Sequence, residues 1–216
     1  MKKVVVFVCL FVNGYLSFSQ AKEGVINYQV EATQMDTVVV NAQPNLVGSS
    51  LDIYFSEEKS RIDFKMNEMM KVSVILDRLS NNGIRLFDGV IGKFYITGLA
   101  DEMGMVPQKT ENEDIQLVEG TKMILGFECK KAIVKSNGVT SVYWYTDKLK
   151  FDFSGHEIVN SNLPGFPLEF TTLSKGMQMV FTAINYSAEI ENEEVIFSTA
   201  IPAGFQEIPE AVKGKL

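Results

Sequence analysis

Few residues of this chain could do bond-making chemistry, and their spacing narrows what that chemistry could be. Cys129 is one of two cysteines, the other being Cys9. It lies on a strand-like run between Phe127 and Ile133, with Lys130 and Lys131 adjacent. Neighbouring ammonium groups lower a thiol's pKa, yet a thiolate nucleophile also needs a base beside it. A strand cysteine among apolar residues reads more simply as a small buried hydrophobe. The candidate base is His156, the single histidine, in the loop sequence Ser154-Gly155-His156-Glu157. Without a second histidine a usual zinc site is not assembled. The acidic runs Glu111-Asn112-Glu113-Asp114 and Glu191-Asn192-Glu193-Glu194 lack the spaced oxygen ligands and central glycine of a calcium loop, and they read as solvated turns. No Gly-x-Ser-x-Gly elbow, phosphate-cradling glycine loop or dinucleotide fingerprint occurs. The expectation is a non-catalytic protein with no cofactor and no metal.

Apolar surface is what the chain has in quantity: 15 Phe, 10 Met, 7 Tyr and 1 Trp against a formal charge of −7. Acidity disfavours nucleic acid and anionic headgroups, since both would be repelled. A lipid or other hydrophobic ligand, or an envelope protein, is the compatible partner. Met103 and Met105 fall in a long connection, where methionines gain little unless they fold over an apolar surface, so they are candidate lid residues. Trp144 and Phe166 are candidates for a cavity wall or rim, with packing in the core as the structural alternative for Trp144 and a place in a rigid turn as that for Phe166. In the turn Leu163-Pro164-Gly165-Phe166-Pro167, proline fixes φ, glycine supplies a left-handed position and Pro167 starts the next strand at its edge.

The elements that must position these residues are strands. Alternation with a period of two recurs throughout, the mark of strands with one buried face. Ile26, Tyr28 and Val30 alternate with polar residues; Leu51, Ile53 and Phe55 follow, then Ile62, Phe64 and Met66 beyond a turn at Ser56-Glu57-Glu58-Lys59. Val72, Val74 and Leu76 pair with Ile84 and Leu86 across Asn81-Asn82-Gly83. A three-residue loop with Gly83 left-handed would keep Leu76 and Leu86 on one face. At Asn137-Gly138 a two-residue loop sets Ile133 opposite Val142 and Lys131 opposite Trp144. Closing strands run through Leu168 and Phe170, through Met177 to Ala183, through Tyr186 to Ile190, and through Val195 and Phe197. The reading is a mainly β, antiparallel, strongly curved sheet or unclosed barrel of about ten strands. The long connections 33–49 and 98–114 are its lid-like loops or short helices.

The first nineteen residues predict the compartment. Lys2 and Lys3 precede an apolar run from Val4 to Val12, and Ser17-Phe18-Ser19 places small residues where a signal peptidase reads. Residues 1–19 are expected to be a cleaved signal and 20–216 a single periplasmic or secreted domain. No later segment approaches the roughly 20 apolar residues that a membrane-spanning helix needs.

Two stretches together carry a resemblance: Ile124-Leu125-Gly126-Phe127-Glu128-Cys129-Lys130-Lys131-Ala132 with Tyr143-Trp144-Tyr145-Thr146, and Asn162-Leu163-Pro164-Gly165-Phe166-Pro167-Leu168-Glu169-Phe170. Their order resembles secreted bacterial families with a Gly-x-x-Cys-Lys-Lys stretch, a Trp-Tyr-Thr strand and a Leu-Pro-Gly turn, among them the family named for the motif GLPGLI. Asn162 stands where that motif begins with glycine, and Phe166-Pro167 replaces its Leu-Ile. These families look like distant relatives of the periplasmic lipoprotein-carrier superfamily (LolA/LppX-like). The resemblance implies an open half-barrel with lid elements that holds acyl chains on its concave face. The functional expectation is a non-catalytic protein binding a hydrophobic ligand or acyl chain in such a cavity. The alternative is a cell-envelope interaction module with a filled core.

Overall fold

The computed structural model describes residues 21–35, 48–100, 114–136, 138–150, 162–174 and 177–208. They form one unclosed twelve-stranded sheet. Its strands are β1 (Gly24–Met35), β2 (Ser50–Phe55), β3 (Lys59–Met66), β4 (Met70–Asp77), β5 (Asn82–Gly89), β6 (Gly92–Leu99), β7 (Asp114–Ile124), β8 (Phe127–Ser136), β9 (Val139–Thr146), β10 (Phe166–Ser174), β11 (Met177–Ser187) and β12 (Gln206–Glu207). The spatial order is β12-β6-β5-β4-β3-β2-β1-β11-β10-β9-β8-β7, antiparallel throughout except where β12 runs parallel to β6. Twelve strands replace the expected ten or so.

Curvature follows from which side chains touch. Strands β2 and β10 are separated by β1 and β11, and neighbouring strands lie roughly 4.8 Å apart. A flat sheet would keep their side chains well out of contact. Instead the rings of Phe55 and Phe166 lie 5.3 Å apart. The Tyr28 hydroxyl likewise reaches past β11 to donate to the Pro167 carbonyl at 2.7 Å. The sheet therefore bends around this face, and the main core fills its hollow: Ile26, Tyr28, Leu51, Ile53, Phe55, Phe166, Leu168, Phe170 and Phe181 are all buried.

The hairpin at Gly138 has the register expected of it, Ile133 opposite Val142 and Lys131 opposite Trp144. The β4–β5 hairpin differs. Its loop is built from Arg78 to Asn81, with Asp77 pairing with Asn82. The Asp77 carboxylate accepts from the amides of Leu79 and Ser80, and Asn81 rather than Gly83 is left-handed, at φ 54°. Leu76 and Leu86 consequently lie on opposite faces. Both are buried because this half of the sheet is covered on two sides: Ile75, Ile84 and Leu86 pack on the outer face with Tyr95 and Phe205, while Leu76 packs with Ala100 and Val74. The outer cover comes from the C-terminal segment, where the strand expected through Val195 and Phe197 is instead one helical turn, α1 (Glu193–Ile196), entered through left-handed Asn192. The two strands expected between Met177 and Ile190 are in fact the single strand β11.

Between β7 and β8 the two-residue turn Leu125-Gly126 has φ of 50° and 81°. Glycine adopts this region freely, whereas leucine there costs about 1 kcal/mol. Leu125→Asn is expected to raise stability by about 1 kcal/mol, measured as a higher urea midpoint at unchanged slope. An unchanged or lower midpoint would contradict this account of the turn.

Candidate functional site

The hollow of the sheet is not uniformly filled. Strand register carries one apolar row from Tyr28 through Leu51, Phe64, Val72 and Phe87 to Phe94. A second runs from Ile26 through Ile53, Ile62, Val74 and Arg85 to Ile96. The members on β1 and β2 are wholly buried. From Phe64 outward, Val72, Val74, Phe87, Phe94 and Ile96 are only half-buried. Phe64 joins the two regions, its ring 6.2 Å from that of Phe181 in the core. Among the described residues this half of the concave face is thus an apolar strip less buried than the main core, with Arg85 between Val74 and Ile96 in the register.

A second group occupies the opposite face. The core row Ala132, Tyr143, Phe170, Phe181 and Val30 is flanked, one residue along each strand, by Lys131, Trp144, Glu169, Thr182 and Gln29. Alternation therefore turns Trp144 outward. Its indole is half-buried, with the Lys131 and Lys122 ammonium groups 5.6 Å and 5.8 Å from the ring centroid. Lys122 also pairs with Glu169.

These positions decide the sequence candidates. Trp144 alternates away from the hollow, so it does not line a concave cavity, and its half-buried indole packs against the main core as the structural alternative expected. Phe166 is 1% exposed and packs on Phe55, so it belongs to the core and not to a rim. Leu163 packs partly on the same core, and Pro164 is exposed. Gly165 does not supply a left-handed φ; it permits close approach instead, since a Cβ there would collide with the Thr146 carbonyl oxygen. The Pro167 carbonyl anchors Tyr28. Cys129 is buried, and burial pushes its thiol up to about 11, reinforced by the Glu169 charge and opposed by Lys122. Burial of this kind favours the protonated thiol at neutral pH. Met103, Met105 and His156 lie outside the described residues. Among the described residues no group of His, Cys, Asp and Glu could hold a metal ion, and no helix is long and apolar enough to cross a membrane.

Comparison with known proteins finds a partial match to one family model. The model of the N-glycanase peptide, N-terminal domain family matches residues 102–197. Two solved structures of PNGF-II share the fold. The one in space group C2 is 14% identical with TM-score 0.51, covering 89% of this chain and 32% of that one. The one in space group P21 is 17% identical with TM-score 0.50, covering 87% and 31%. The chain therefore spans about a third of those proteins. A LolA superfamily protein from Nitrosomonas europaea aligns over 82% of this chain and 90% of that one, at 10% identity and TM-score 0.22, too slight a likeness to carry an argument. No curated protein matches the chain. The matching family is not the one the Leu-Pro-Gly turn resembles. It also stands against the expectation of a non-catalytic protein: the family model that matches is that of an N-glycanase, of which residues 102–197 are similar to the N-terminal domain.

Proposed function

We propose that this chain binds an apolar ligand with a carboxylate end on the half-buried apolar strip of its concave face. The observation carrying this reading is the in-register row Phe64-Val72-Phe87-Phe94, which extends the buried core into a half-buried strip. An acyl chain laid along the strip removes apolar surface from water at about 25 cal/mol per Å², and Arg85 in the neighbouring row offers its carboxylate an opposite charge. Export through residues 1–19 is part of the proposal, since such ligands are abundant in the envelope.

A fluorescent fatty acid, parinaric acid, tests it. The purified protein is expected to bind the probe saturably, palmitate to displace it, and hexadecanol to displace it less well. Phe87→Lys is expected to weaken probe binding at least tenfold, Arg85→Met to erase the preference for palmitate, and Gln29→Lys on the outer face to change nothing. Absence of saturable binding, or equal loss in all three variants, would overturn the reading.

The family match favours a second reading, in which the domain receives N-glycosylated polypeptide beside an N-glycan-removing site. Retention of a glycopeptide by the immobilised protein supports it, provided that retention falls when the glycan is removed beforehand. Equal retention of both forms would exclude it.

A further inference from the structure

The outer face of the sheet carries a constellation that neither reading uses. Strand β7 departs from regular pairing between Val118 and Thr121: Val118 opposes Lys131 and Thr121 opposes Lys130, so Glu119 and Gly120 are extra. Bulges of this kind re-aim neighbouring side chains. This one sets Gly120, at φ 132°, over the edge of the Trp144 indole, where even a Cβ would come within 3.8 Å of the ring. A larger side chain at Gly120 would cover that edge. Glycine leaves that edge without a covering side chain from Gly120, while Lys122 beyond the bulge and Lys131 on the adjacent strand place their ammonium groups over the ring.

The charges around the indole are not balanced. Lys122 is paired with Glu169, and Lys130 with Asp147 at 2.8 Å. Lys131, half-buried beside the ring, has no carboxylate partner among the described residues. The result is an indole edge beside Gly120, the Lys131 ammonium over the ring with no ion-pair partner among the described residues, and the Glu169 carboxylate that Lys122 pairs. The overall charge of −7 does not forbid an anion at this place, because charges more than about 8 Å away are screened at physiological ionic strength. Aromatic faces take the C–H surface of sugar rings, and an ammonium beside them takes a ring carboxylate through a charge-assisted hydrogen bond.

We propose that Trp144, Lys131, Lys122 and Glu169 form a binding site for an acidic saccharide, a sugar whose ring bears a carboxylate. The site lies across the sheet from the apolar strip and stands or falls independently of it. Trp144 is the one tryptophan in the chain, so intrinsic indole fluorescence reports on this site alone.

A hyaluronan hexasaccharide, which alternates glucuronate with N-acetylglucosamine, is the probe; neutral N-acetylchitohexaose is its counterpart. The expected result is a saturable change in indole fluorescence with the first and at least tenfold weaker binding of the second. Lys131→Met keeps an unbranched stem beside the ring while removing the ammonium, and is expected to abolish the preference. Lys135→Met, on the same strand and exposed, is expected to retain it, and matched thermal midpoints exclude misfolding. No saturable change, equal binding of the two saccharides, an unaltered preference in Lys131→Met, or a response reproduced by sodium acetate at equal ionic strength would each overturn the proposal.

Discussion

Truncating Phe170 to alanine is expected to destabilise the protein by about 4 kcal/mol, the range for a large aromatic removed from a rigid core. The magnitude follows from what the ring joins. Phe170 is fully buried and stacks on Phe181 at 4.6 Å with planes 3° apart. It lies nearly parallel to Tyr143 on β9 at 5.8 Å, and meets Tyr28 on β1 edge-on, also at 5.8 Å. One side chain therefore ties β9, β10, β11 and β1 together. Phe170→Leu, which keeps much of the volume, is expected to cost about 1.5 kcal/mol. Guanidinium unfolding measures both. A cost below about 1 kcal/mol for the alanine variant would mean that the hollow collapses around the gap, and that the bend does not depend on this cluster.

Asp63→Asn is expected to cost about 3 kcal/mol at neutral pH. Asp63 is buried on the outer face, between Arg61 at 2.8 Å and Lys71 at 2.8 Å. Arg61 in turn donates to the Ile196 carbonyl at 3.0 Å, fastening the C-terminal segment over β3–β6. Burial pushes the Asp63 carboxyl up, but the hydrogen bonds and charges of Arg61 and Lys71 outweigh it and hold the pKa below the ordinary 3.8. The folded state thus gives up this proton more readily than the unfolded state. The contribution to stability is complete above pH 3.8 and is lost as the pH falls through the lower folded value. The stabilities of wild type and Asp63→Asn are therefore expected to converge as the pH is lowered from about 4, and limited proteolysis of the variant at pH 7 to cut first within 191–208. A difference independent of pH would show that the carboxylate's charge contributes nothing.

What could be read from the sequence was governed by turns and parity. Gly138 closes a two-residue hairpin, so the pairing of Lys131 with Trp144 was legible residue by residue. Period-two runs around Tyr28, Ile53 and Phe64 gave the strands and most of the core. The β4–β5 register is not legible from period-two alternation with one buried face, because the C-terminal segment buries the other face as well. For the same reason Phe87 and Phe94 went unnoticed beside the more evident Ile84 and Leu86. The outward position of Trp144 followed from its alternation with Tyr143 and Tyr145, but period alone does not tell which face a curved sheet turns inward. The Lys122–Glu169 pair joins strands separated by β8 and β9, a proximity that no local signal carries.

The half-buried apolar strip of the concave face is expected to receive an apolar ligand, and methyl resonances report on that face directly. With the valine and isoleucine methyls labelled and palmitate titrated in, Val72, Val74 and Ile96 are expected to shift saturably while Val118 and Ile184 stay still. Shifts confined to the latter two, or none at the strip while palmitate remains in solution, would contradict it.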